Sequence, residues 1–168
     1  FGLEYTLIPM KQIIANPYTF EGEVTNLGAL NQTAHINVNV LDESSSSVFT
    51  TISADSILFP QDTMIFVGQN QFTPNSTGLY TFDTWASSVD TISDTMSSFS
   101  TVTNNVFGRD NGTMSSSYEL GRSCGGMIIG SYFDVYDTDD LASLSVYMKD
   151  NSVPGAKAGS RTSMSIDK

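Results

Sequence analysis

A chain of 168 residues with a formal net charge of −11, seven basic side chains against eighteen acidic, has room for one large domain or a domain and part of a second. That charge excludes a nucleic-acid phosphate backbone as partner and disfavours an anionic membrane surface, and no apolar run reaches the roughly 20 residues that cross a bilayer as a helix. One Cys and one His exclude a disulfide framework and most zinc sites, and they leave little for acid–base catalysis.

The chain reads as cut at both ends: it opens on Phe1 without a charged segment and apolar leader behind it. Ser and Thr make up about a quarter of it, a composition suited to solvated strand faces and poor for helices. Leu3, Tyr5 and Leu7 alternate with Glu4 and Thr6 until Pro9 ends the run. Phe20, Gly22 and Val24 alternate with Glu21, Glu23 and Thr25, and Asn26-Leu27-Gly28 turns the chain, with Asn26 and Gly28 suited to positive φ. Ala34, Ile36, Val38 and Val40 against His35, Asn37 and Asn39 make the clearest strand with one buried face. Asp42 to Ser47 forms a polar hairpin loop, from which Val48 to Ser53 returns. Met64 to Val67 follows Pro60 as a short apolar strand. Gly78 opens a strand with Tyr80 and Phe82 on one face, and Ser100 to Phe107 closes the series. Seven strands in about 108 residues, with no sustained 3.6-residue period, predict a β-sandwich nearly free of helix.

Before position 109 the one Lys or Arg is Lys11, whereas Arg109, Arg122, Lys149, Lys157, Arg161 and Lys168 follow it. This shift coincides with the turn-rich Gly108-Arg-Asp-Asn-Gly-Thr113 and places a domain boundary near 110, dividing the chain into 1–109 and 110–168. In the second part Tyr118 with Leu120, then Met127 to Tyr136, then Leu144 to Met148 read as three strands. They are too few for an eight-stranded jelly roll, so the module is expected to be truncated, docked on the first or completed by another chain.

The segments Phe20-Glu-Gly-Glu-Val-Thr-Asn-Leu-Gly28, 34–41, Gly78-Leu-Tyr80 and Asn104-Asn105-Val106 resemble the cell-adhesion-related (CARDB-like) bacterial immunoglobulin-like domains over residues 3 to 108. The stretch Ser87 to Ser98 is longer and richer in Ser and Thr than that pattern. The run through Tyr118, Phe133, Leu144 and Pro154-Gly155 resembles the opening of the jelly-roll modules that follow such domains in Bacteroidota surface proteins and secreted peptidases. The resemblance implies an immunoglobulin-like β-sandwich plus a partial jelly-roll-like module, and no enzymatic activity.

His35 falls on the wet side of its strand and Cys124 lies far in sequence from any base, so neither suggests a nucleophile. Asp134, Asp137, Asp139 and Asp140 form the densest acidic cluster, an acidic hairpin that could take calcium, though not with EF-hand spacing. Trp85 lies by alternation on the face opposite Tyr80 and Phe82 and is the ligand-stacking candidate. Asp55-Ser56-Ile57, Asp62-Thr63-Met64, Asp90-Thr91-Ile92 and Asp94-Thr95-Met96 resemble the O-glycosylation sequon of Bacteroidota periplasmic and surface proteins, with Ser56, Thr63, Thr91 and Thr95 as acceptors. The expected function is a non-catalytic structural or adhesion module of a secreted bacterial surface protein, contacting neighbouring domains or another surface protein, with no cofactor beyond calcium. A carbohydrate-binding module or an accessory segment of a secreted peptidase is the alternative.

Overall fold

A computed structural model describes residues 5–109 and 132–144. The chain forms two compact units: Phe1–Thr113 with Gly130–Asp137, and Met114–Ile129 with Thr138–Lys168. The first unit therefore takes in a segment that the sequence reading assigned to the second module.

Within the first unit the order is β1 (Leu7–Pro9), α1 (Met10–Ala15), β2 (Glu21–Thr25), β3 (Gln32–Leu41), β4 (Ser47–Ile52), β5 (Ser56–Leu58), β6 (Thr63–Val67), β7 (Gly78–Ser88) and β8 (Met96–Thr103). The larger sheet runs β1-β8-β7-β3-β4 with β5 also paired to β3, and β2 with β6 forms a second, two-stranded sheet. All pairings are antiparallel except that of β1 with β8.

The alternation of β3 sets the layers. Ala34, Ile36, Val38 and Val40 are buried while His35, Asn37 and Asn39 stay half-exposed on the other face. Each large aliphatic so buried contributes roughly 1.5–3 kcal/mol of transfer free energy. Against this face Tyr18, Phe20, Phe49, Phe72, Tyr80 and Phe82 form a chain of ring contacts with centroids from 5.0 Å (Tyr18–Phe82) to 6.4 Å (Phe72–Phe82). A smaller cluster of Ala34, Ile36, Leu58 and Phe66, flanked by Val24, fills the other end. The β2–β6 pairing continues beyond the strands, with Gly68 N–H donating to the Phe20 carbonyl and Tyr18 and Phe72 exchanging backbone bonds.

Two features mark the edge of the larger sheet and the entry to β7. The first strand lies parallel to the last in the larger sheet. At the entry to β7 the Tyr80 hydroxyl donates to the Ser76 carbonyl at 2.9 Å, closing the corner that leads into the strand. Gly78 opens that strand at φ 145°, a conformation that a side chain would strain.

Several local expectations change. Asn26 and Gly28 are not at positive φ; Ser45 and Gln61 are. Asn26 acts through its side chain instead, donating to the carbonyls of Leu30 and Leu58 and accepting from Gly28 N–H, so the turn is held by an Asx bond. The last strand begins at Met96, because its pairing with β7 extends back to Met96 opposite Thr84 before the connecting hairpin, which is bridged at Ser87 and Ile92. A one-and-a-half-turn helix follows Pro9 and buries Gln12 and Ile13. Residues 132–144 contain no strand, although 132–136 were expected to end one. The backbone at 134, 136 and 137 is held instead by the Tyr5 and Gln12 side chains. The remaining strands proposed for 116–148, and Cys124, lie outside the described residues.

Replacing Tyr80 by Phe should lower unfolding free energy by about 1–1.5 kcal/mol in urea titrations, the net worth of one buried hydrogen bond. Burial pushes the Tyr18 phenol up to about 12, with the Ser100 hydrogen bond opposing the rise and Tyr80 adding to it. Since the folded state holds that proton more tightly, the associated stability is intact below pH 10 and lost as pH climbs toward 12, by about 2 kcal/mol. Urea unfolding of Tyr18→Phe against the native chain across pH 9 to 12 should show the smaller alkaline loss in the variant.

Candidate functional site

Two surfaces of the first unit carry specific chemistry. The first is the outer face of the larger sheet. The register aligns Ile52 of β4, Asn37 of β3 and Trp85 of β7 in one row, with Thr50, Asn39, Asp83 and Ser97 in the next. One row further, Leu41, Thr81 and Phe99 align, and Phe99 is 51% exposed. Trp85 is half-buried on this face, opposite Tyr80 and Phe82 as the alternation predicts. Its indole N–H has no protein acceptor among the described residues and is not sealed from solvent.

The polar side chains around it are tied to the strands. Asn37 Nδ2 donates to Ser87 Oγ at 2.9 Å, and the Ser47 and Ser97 hydroxyls donate to Asn39 Oδ1 and Asp83 Oδ1, each at 2.5 Å. His35 Nδ1 meets Asp55 Oδ1 at 2.9 Å on the same face, so the one His is paired with a carboxylate. Such bonds fix rotamers on a rigid scaffold and so reduce the ordering cost of binding.

The second surface holds the segment 132–137. Gln12 is fully buried; its Nε2 donates to the Asp137 carbonyl at 2.9 Å while Oε1 accepts from the N–H groups of Tyr136 and Asp137 at 2.8 and 3.0 Å. One amide side chain thus replaces a strand partner. The Tyr5 hydroxyl accepts Asp134 N–H at 2.6 Å, and the Phe133 ring stacks on Tyr5 at 5.9 Å and meets Phe107 edge-on. The Arg109 guanidinium lies 4.8 Å from the Tyr5 ring centroid, a cation–π contact that covers the cluster. An exposed ion pair, Lys11 Nζ to Asp137 Oδ2 at 3.6 Å, adds little.

These placements bear on the four aspartates. Asp134 and Asp137 are bound into the segment just described, and Asp139 Oδ1 accepts the N–H of Asp140. Among the described residues no three acidic, His or Cys side chains gather as a metal-ligand set. Of the glycosylation acceptors, Thr91 and Thr95 are exposed at the β7–β8 hairpin, Thr63 is exposed and hydrogen-bonded to Thr25, and Ser56 is half-buried in β5. Gln12 and Phe99 were missed from sequence: a lone Gln in a short helix carries no signal, and Phe99 fell before the expected start of the last strand.

Compared with known protein families, curated proteins and solved structures, the chain matches none.

Gln12→Ala should cost about 1–3 kcal/mol, since it removes the three hydrogen bonds that tie 136–137 to the buried amide. Gln12→Glu should cost at least as much, since it buries a carboxylate without a counter-charge and sets one of its oxygens against the Asp137 carbonyl. Both should expose 132–137 to limited proteolysis while cleavage within β3 stays absent; equal resistance in all three proteins would contradict the assignment.

Proposed function

We propose that the chain is a non-catalytic structural and adhesion module of a secreted bacterial surface protein, related to the CARDB-like immunoglobulin domains, that spaces or anchors its neighbours under tension. The observation that carries this reading is the parallel pairing of β1 with β8, Leu7 opposite Thr101 and Pro9 opposite Thr103. Tension entering at Tyr5 and leaving at Arg109 first opens the antiparallel Leu7–Gly108 bridge, from which the two chain ends leave side by side, and then drags the parallel strands β1 and β8 in opposite directions along their length. Their hydrogen bonds are then loaded together in shear, whereas an antiparallel hairpin pulled at its open end gives way one bond at a time.

On its other edge β1 meets Gly108 in that bridge. Thr6 and Leu7 donate to the Gly108 carbonyl, and Gly108 N–H donates back to Leu7. A Cβ at Gly108 would stand 2.8 Å from Leu7 Cδ1, so the close approach depends on glycine. The buried Ser100 hydroxyl donates to the Tyr5 carbonyl at 3.0 Å and accepts from Tyr18 at 3.0 Å. An extracellular setting accords with the exposed Thr91 and Thr95 hydroxyls as O-glycosylation acceptors.

Single-molecule stretching of the full chain tests this. Residues 5–109 should unfold in one event that releases roughly 35 nm of contour, as expected for that many extended residues. Ser100→Ala should lower the peak force, whereas Gly108→Ala, which acts on the bridge that opens first, should leave it unchanged. Gradual extension without a force peak of that length would overturn the reading.

A further inference from the structure

We propose that the outer face of the larger sheet binds a neutral polysaccharide chain, with Trp85 and Phe99 as the two stacking platforms. Phe99 stands opposite Thr81, four residues along β7 from Trp85. With a strand rise near 3.3 Å and a strand spacing near 4.8 Å, their Cα atoms are roughly 14 Å apart on one face. That separation fits an extended chain of a few sugar rings lying obliquely across β7 and β8.

Between the platforms lie Thr81, Asp83 and Ser97, and beside them Asn37 and Asn39. Apolar ring faces set among amide, hydroxyl and carboxylate groups match a pyranose, whose C–H faces stack on an aromatic ring while its rim hydroxyls need both donors and acceptors. The indole N–H of Trp85, unclaimed by the protein, is a further donor.

Charge selects among ligands. Among the described residues this face carries Asp83 and no Lys or Arg, and His35 is occupied by Asp55. A polyanionic glycan would meet a carboxylate without a counter-charge, so the ligand is neutral. A protein partner is less favoured, because interface cores shed polar side chains whereas this face alternates them with its rings. This inference stands apart from the tension-bearing reading: it uses β3, β7 and the outer side of β8, not the β1–β8 seam.

Trp85 is the sole tryptophan, so the native full chain reports directly. Titration with hydroxyethylcellulose, xyloglucan, galactomannan and laminarin should shift or quench its emission for at least one of them, and affinity electrophoresis should show retardation by the same polymer. Trp85→Ala should weaken that retardation roughly 10-fold or more, the scale of one lost stacking partner, and Phe99→Ala several-fold. Ile65→Ala, on the two-stranded sheet, should leave it unchanged. An unmoved emission and unaltered mobility with every neutral polymer would overturn the proposal. So would retardation by alginate or pectate alone, equal binding by a folded Trp85→Ala chain, or an emission change elicited by protein ligands and by no sugar.

Discussion

The period-two alternation of β3 is the constraint on which the rest of the architecture depends. Its ten residues lie inside the larger sheet, paired on one side to β7 and on the other to β4 and β5. The inward residues supply the floor on which the aromatic cluster rests, and the outward ones supply the polar rows around Trp85. A slip of one residue would exchange these sets, burying His35, Asn37 and Asn39 and exposing four aliphatic side chains. Core and outer surface are thus two consequences of one register.

The polar groups inside the sandwich show how closure is completed. Ser100, Gln12 and Asn26 are buried, and each is bonded to backbone distant in sequence. Ser100 joins the last strand to the chain preceding the first; Gln12 holds 136–137; Asn26 joins the β2 turn to the end of β5. Among the described residues no buried side-chain nitrogen or oxygen lacks a partner. An unsatisfied group at any of these places would cost about 1–3 kcal/mol, so these residues specify which segments meet as well as stabilising the meeting.

Legibility followed burial contrast. The strands with one greasy and one wet face, β2, β3 and the first half of β7, could be read directly, and with them the side on which Trp85 falls. β8 could not be bounded, because Ser97, Ser98 and Ser100 look equally wet in sequence although Ser100 is wholly buried. β5 and α1 are three and six residues long, too short for any period to emerge. At 132–136 the alternation of Phe133 and Val135 suggested a strand, but tertiary contacts prevailed: Tyr5 and Gln12 side chains took the N–H groups that a ladder would have used. The same reasons governed the candidate surfaces. Trp85 was visible; Phe99 was hidden by the misplaced edge of β8, and the role of Gln12 exists only once the fold has formed.

The most direct test of the account is residue-resolved amide hydrogen exchange on the intact chain. If β3 is the organising strand, the amides of Ile36, Val38 and Val40 exchange together with those of β7 in the slowest class, with an opening free energy equal to that of global unfolding. The connection at 89–95 exchanges orders of magnitude faster. Amides of β3 exchanging as readily as that connection, or opening independently of β7, would contradict it.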